Sequence, residues 1–281
     1  MNGSLPRDPT IDCHAHIFTA DTKLSRSAWT APVEDAPIER YRQTLATFGI
    51  RRAVLAASSL HDDDNRYSTD VTRADRSIRT TVIVSPDIGL ERLRQLDAAG
   101  ACGIRLQLRN KALPDLRSPA YRELFRHVAD LGWHVQLHDD SLRLPPMIAA
   151  IEASGAPLVI DHFGRPGPDG ADDAGFRAVV AAVRRGRTWV KISGAFRLAN
   201  PLQDRSLADA LLAAHGPDRL LWGSDWPFVG FESRMTYRQA LSDFARAVPD
   251  SGVRAAIDGS AARFYFAAAF PASGPKAAPS R

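Results

Sequence analysis

Apolar runs of five to seven residues recur along the chain, and between them apolar residues fall three and four positions apart. The runs at residues 10–16, 53–58, 80–84, 102–108, 133–138, 158–162, 189–193 and 220–224 predict eight strands. The intervening spacing predicts helices over 37–48, 90–98, 119–131, 145–153, 176–185 and 207–215. The interval 65–77 is polar and carries the faintest helical pattern. Gly49, Gly100, Gly132, Gly155, Gly186 and Gly216 each follow a helical stretch, where the chain needs a left-handed residue before the next strand.

Regular alternation of eight strands with helices predicts one (β/α)8 TIM barrel, a fold that commonly occupies about 250 residues. An open doubly wound sheet would carry a glycine-rich phosphate loop in its first turn, and neither GxGxxG nor GxxxxGK[ST] occurs. The barrel is expected over residues 1–266. The stretch 267–281, rich in Ala and Pro, is expected to be a disordered tail.

Composition narrows the function. Of 281 residues, 44% are hydrophobic, enough for a large core. The net charge of +4 balances 36 basic against 32 acidic residues, scattered without a basic run, which argues against nucleic acid as a partner. Two cysteines, Cys13 and Cys102, are too few for a disulfide framework. The opening MNGSLPRDPT lacks the charged and apolar segments of a leader, and no stretch of about 18 apolar residues follows. The expectation is a reduced, cytoplasmic protein with no membrane partner. The sequence leaves the oligomeric state open.

In such a barrel the chemistry lies at the C-terminal strand ends. The first run ends in His14 and His16, the second in Ser58 and Ser59, and the fourth carries Arg105 and Arg109. The fifth ends in His138, and the sixth in His162 with Arg165 behind it. The seventh leads to Arg197 and the eighth ends in Asp225. A lone His-x-His is equally served by ordinary hydrogen bonding. Four histidines and an aspartate on one face predict a shared active site.

The motifs IDCHAHIF, GIRLQL, GWHVQLH, DHFGRP, KISGAFR and WGSDWP run in order from residue 11 to 228. Together they resemble the amidohydrolase superfamily, in its amidohydrolase-related branch of 2-pyrone-4,6-dicarboxylate, muconate and sugar lactonases. The resemblance implies catalytic roles for His14, His16, His162 and Asp225, and anion binding by Arg105, Arg165 and Arg197. Arg109 joins these as a substrate-binding candidate, and Ser59 looks like the serine of the second strand. Trp29 stands where the pyrone lactonase has a substrate-contacting tyrosine, and His138 where it has another. The carboxylated lysine or glutamate of binuclear members has no counterpart on the fourth run, which offers Arg105 and Gln107.

His138 opens two routes. His14, His16, His138 and Asp225 make a three-nitrogen, one-oxygen set suited to a single Zn²⁺. Without metal, His138 would bond a substrate carboxylate instead. Both routes lead to water, activated by Asp225, attacking the carbonyl of a carboxylated lactone. Decarboxylation or hydration of an unsaturated dicarboxylate, and a non-catalytic barrel that binds an acidic metabolite, are the alternatives.

Overall fold

The computed structural model describes residues 9–267. Eight parallel strands alternate with helices: β1 (Ile11–Ala15), α1 (Ile38–Thr47), β2 (Arg52–Leu55), α2 (Arg66–Ala74), β3 (Ile78–Val82), α3 (Leu90–Ala98), β4 (Ala101–Gln107) and α4 (Pro119–Asp130). They continue with β5 (His134–His138), α5 (Leu144–Ala153), β6 (Leu158–Ile160), α6 (Ala174–Arg184), β7 (Thr188–Ile192), α7 (Asp204–His215), β8 (Leu220–Trp222), α8 (Tyr237–Ala247) and α9 (Ser251–Ala261). The strands pair in sequence order, and a parallel bridge from Ala15 to Trp226 joins the last strand's end to the first, so the sheet is a (β/α)8 barrel.

The six glycines anticipated after helices all take positive φ, from +67° at Gly216 to +104° at Gly100. At Gly100 the space is also occupied, since an added Cβ would lie 2.8 Å from Thr72 Cβ. Helix α2 confirms the polar interval as helical. Its inward face is Thr69, Val71 and Thr72, and Thr72 Oγ1 donates to the carbonyl of Ala99 at 2.6 Å. Helices α8 and α9 lie beyond the stretches read as helical from the sequence. Thr236 and Asp250 cap them by accepting from the amides of Gln239 and Val253. Of the anticipated tail, residues 268–281 lie outside those described.

Alternation along each strand divides its side chains between two cores. Ala53, Leu55, Val135, Leu137, Val190 and Ile192 belong to the large outer core shared with the helices. Val54, Cys102, Val159, Trp189 and Leu221 belong to a second apolar cluster inside the barrel, and Tyr265, in the π-helical turn Ala262–Phe266, joins it. Above this floor the inward positions turn polar, with Arg105, Gln136, Asp161 and Lys191 all buried. The apolar floor keeps water out from below, and the polar layer supports what stands at the mouth.

Candidate active site

Backbone strain concentrates where the site residues sit. After β6 the chain takes φ of +50° at His162, +57° at Phe163, +77° at Gly164 and +46° at Arg165; after β8, Asp225 takes +66°. A left-handed non-glycine residue costs on the order of 1 kcal/mol or more, so these conformations persist because the surroundings impose them. Asp12 supplies one such constraint. Its buried carboxylate accepts from the amides of His14 (3.1 Å) and Ser224 (2.9 Å) and from the hydroxyls of Ser224 (2.6 Å), Tyr41 and Tyr237 (2.9 Å each). That lashes the start of β1 to the end of β8 and to two surrounding helices.

Three side chains converge at the top of the first and last strands. His16 Nδ1 lies 2.7 Å from the carbonyl of Ala56, which can only accept, so Nδ1 carries a proton and Nε2 is the nitrogen turned to the cavity. That Nε2 is 3.4 Å from Asp225 Oδ1, and His14 Nε2 is 3.6 Å from the same oxygen. His14 Nε2 has no hydrogen-bond partner among the described residues. Burial alone would raise the Asp225 carboxyl, but Arg197 and the neighbouring imidazoles hold it well below the usual range. Arg197 Nε donates to Asp225 Oδ2, and Nη1 to the carbonyl of Val229.

Beneath them lies a buried charge network that reading the strand ends missed. Asp161 Oδ2 accepts from Arg105 Nε at 3.1 Å and Nη2 at 3.0 Å, and Gln136 Nε2 donates to both carboxylate oxygens. Asp161 Oδ1 is also 3.2 Å from His14 Nδ1 and 3.6 Å from Lys191 Nζ. Burial would raise the Asp161 carboxyl, yet His14, Lys191 and Arg105 hold it well below the usual range. Both residues stand inside quoted motifs, Asp161 opening DHFGRP and Lys191 opening KISGAFR. Only the fold shows that they meet.

His162 lies 4.7 Å from His14 and 5.2 Å from His138, ring centre to ring centre. Burial brings its pKa down to about 4, so the ring is neutral near pH 7. Its Nδ1 is 2.9 Å from Ser193 Oγ. His138 is also held neutral by burial, and neither of its nitrogens has a partner among the described residues.

His14, His16 and Asp225 each bring a ligand atom within 4.8 Å of one another, as do His14, Asp161 and His162. His138 belongs to neither group, so the anticipated four-ligand set is not assembled here. His138 instead packs on His162 and lines the same cavity as His16 and Asp225. In the second group Asp161 already serves Arg105 and Gln136. The first group fits a divalent cation, because two ring nitrogens and a carboxylate oxygen face one another and the His14 nitrogen has no hydrogen-bond partner among the described residues.

A cavity of about 350 Å³ opens over this cluster. His16, His138, His162, Asp225, Ser59 and Trp29 line it, as do all four anticipated arginines. The arginines differ in their commitments. Arg105 is fully buried, and Asp161 and the carbonyl of Ala57 already occupy three of its N–H groups; Arg197 is tied to Asp225. Both were expected to bind substrate anions, yet each already neutralises a protein carboxylate. Arg109 and Arg165 share one carboxylate oxygen, Asp140 Oδ1, through their Nε atoms at 2.9 and 3.2 Å. Their Nη groups donate to no protein acceptor among the described residues. Trp29 is 53% exposed and reaches across the mouth to Gly230, where an added Cβ would lie 2.9 Å from its ring.

Comparison with known proteins agrees with this architecture. The chain is 31% identical over 229 residues to 4-sulfomuconolactone hydrolase of Hydrogenophaga intermedia, covering 78% of this chain and 75% of that one. A crystal structure from Pseudomonas putida, named as a 2-pyrone-4,6-dicarboxylic acid hydrolase, superposes with a TM-score of 0.85 at 33% identity, covering 92% and 97% of the two chains. A similarly named protein from Acinetobacter baumannii, with citric acid bound, superposes at 0.87 and 27% identity, covering 92% and 99%. The amidohydrolase family profile matches residues 11–267, nearly the whole described barrel, and the chain belongs to that family.

Proposed function

We propose that this protein hydrolyses a lactone ring bearing acidic substituents, with His14, His16, His162 and Asp225 around the reacting carbonyl. The observation that carries the reading is the charge of the cavity. Arg105, Arg109, Lys111, Arg165 and Arg197 line it, and the carboxylates that answer them are Asp140, Asp161 and Asp225. Five positive charges against three negative leave an excess of two, held where the unengaged Nη groups of Arg109 and Arg165 can grip an anion. The relatives' names, a sulfonated muconolactone hydrolase and a pyrone dicarboxylate hydrolase, describe lactones of this charge.

The residues divide the work. Asp225, anionic and oriented by Arg197, accepts the proton of the attacking water on Oδ1. His162 is neutral; with Ser193 Oγ–H donating to Nδ1, Nε2–H is left to donate to the carbonyl oxygen as negative charge develops there. His138, with two unpartnered nitrogens, bonds the substrate's polar edge. Arg109 and Arg165 hold its acidic group, and Trp29 covers the ring. His14, His16 and Asp225 would hold a divalent ion such as Zn²⁺, which when bound lowers the pKa of water to about 7 and offsets charge on the carbonyl oxygen.

The test is a panel of carboxylated and sulfonated lactones with uncharged analogues, assayed by loss of ring absorbance, proton release and CO₂ release, before and after chelation and zinc addition. Ring opening of the anionic members, without CO₂, is expected. CO₂ release, or saturable binding without turnover, would replace the hydrolase reading.

A further inference from the structure

Lys191 is fully buried inside the barrel, and its ammonium has two neighbours at hydrogen-bonding or ion-pair distance. Its Nζ is 3.3 Å from His14 Nδ1 and 3.6 Å from Asp161 Oδ1. The same His14 Nδ1 is 3.2 Å from Asp161 Oδ1. One ring nitrogen therefore faces a donor and an acceptor at nearly equal distance. Its opposite number, Nε2, has no hydrogen-bond partner among the described residues and faces the carboxylate of Asp225. A neutral imidazole carries one proton and must place it at one end.

We propose that Lys191 and Asp161 are positioning residues that make His14 a two-state tautomer, its proton on Nε2 when no cation is present and on Nδ1 when one is. In the first state Lys191 donates to a bare Nδ1, and Nε2–H points at Asp225 Oδ1, which removes the opposition of lone pair and carboxylate. In the second state Nδ1–H donates to Asp161, and the Nε2 lone pair is free to join that of His16. The ring's proton count is the same in both, so His14 need not lose a proton to become a ligand. The arrangement inverts the usual carboxylate–histidine support, where a single acceptor fixes one tautomer permanently. A competing ammonium makes the ligand-ready tautomer the minor form until a cation arrives, which lowers apparent affinity by the fraction not ready.

This inference rests on the proposed cation site, but its test does not. In protein labelled with ¹⁵N-histidine, the His14 resonances are identified by their loss in His14→Gln, and they report which nitrogen is protonated. Metal-free wild type at pH 8 is expected to carry the proton on Nε2. Lys191→Met, which keeps length and removes the donor, is expected to move it to Nδ1; Lys191→Leu serves if the first variant does not fold. Zinc is expected to move the wild-type proton to Nδ1 and to bind Lys191→Met at least about threefold more tightly, since the ready tautomer is already populated. An identical tautomer in metal-free wild type and the Lys191 variants would overturn the proposal. Zinc binding to neither protein would overturn the cation reading above, while the metal-free comparison would still decide the role of Lys191.

Discussion

The Nδ1–H of His16 is donated to the backbone carbonyl of Ala56 at 2.7 Å, and that single bond leaves Nε2 as the ring nitrogen that faces Asp225. Because the tautomer is fixed by backbone, it is insensitive to substitutions elsewhere in the site. His16→Ala should therefore remove one of the proposed ligands. Elemental analysis of the variant is expected to show zinc falling from near-stoichiometric to a small fraction, with activity partly restored at high zinc. Full zinc occupancy in His16→Ala would remove His16 from the ligand set.

Asp225→Asn keeps the shape of the side chain and abolishes its charge. Turnover of any accepted lactone should fall by more than about a hundredfold, with the fold retained at a lowered melting temperature because Arg197 loses its buried partner. Kinetics alongside a melting curve separates lost chemistry from lost fold.

Arg197 and Arg165 should behave differently although both line the cavity. Arg197 orients Asp225, so Arg197→Lys is expected to lower kcat for charged and uncharged lactones alike, by about tenfold or more. Among the described residues the Arg165 side chain is bound only through Nε, so Arg165→Gln should raise KM for anionic lactones by about tenfold and spare uncharged ones. A charge-selective effect in Arg197→Lys would contradict the assignment.

Acid should unfold the protein through its buried imidazoles. Burial holds His14 and His138 well below 6.5 and brings His162 to about 4 and His134 to about 3. Between about pH 6.5 and 4 the unfolded chain binds protons that the folded chain refuses, so stability rises with pH across that window. Each ring contributes on the order of 1.4 kcal/mol per pH unit. Asp12, raised by burial, takes up a proton early and offsets part of the loss. Urea midpoints at pH 8, 6 and 4.5 should fall steeply below 6.5; a flat profile would mean that the rings are not neutral and buried together.

Gly223 packs against the first catalytic strand so closely that an added Cβ would lie 2.4 Å from His14 Cβ. Backbone must move to admit it, since the atoms it meets are the Cβ, N and Cα of His14, none of them the tip of a flexible side chain. Gly223→Ala should cost at least about 1–3 kcal/mol in unfolding free energy and reduce activity by displacing His14.

The strands and most helices were legible because each repeats one local rule, apolar alternation or three-and-four spacing, within its own segment. Helix α2 was faint because threonines bury its inward face, and threonine reads as polar whether or not its hydroxyl is satisfied. Helix α8 carried the ordinary signal, at Tyr237, Ala240, Leu241, Phe244 and Ala247, beyond the last strand where the reading stopped. The histidines at strand ends stood out by type and place. Lys191, Asp161 and Asp12 did not, because what distinguishes them is a partner brought from another strand. The packing of His138 on His162 was hidden for the same reason: which strand ends face each other depends on closure, and spacing along the chain carries no record of it.

Closure has a temporal consequence. Tyr265 completes the inner apolar cluster that begins with Ile11, and Asp258 of α9 accepts from the amides of Thr10 and Ile11 and from the Thr10 hydroxyl at 2.6–3.0 Å. The floor beneath the active site is thus built from the two extremes of the described chain. A ribosome extrudes the first strand long before the segment that seals it, and until that segment emerges the barrel's apolar interior stays open from below. A growing chain can assemble helices and neighbouring strands as it appears, but a dry, charge-bearing interior must wait for synthesis to pass residue 265.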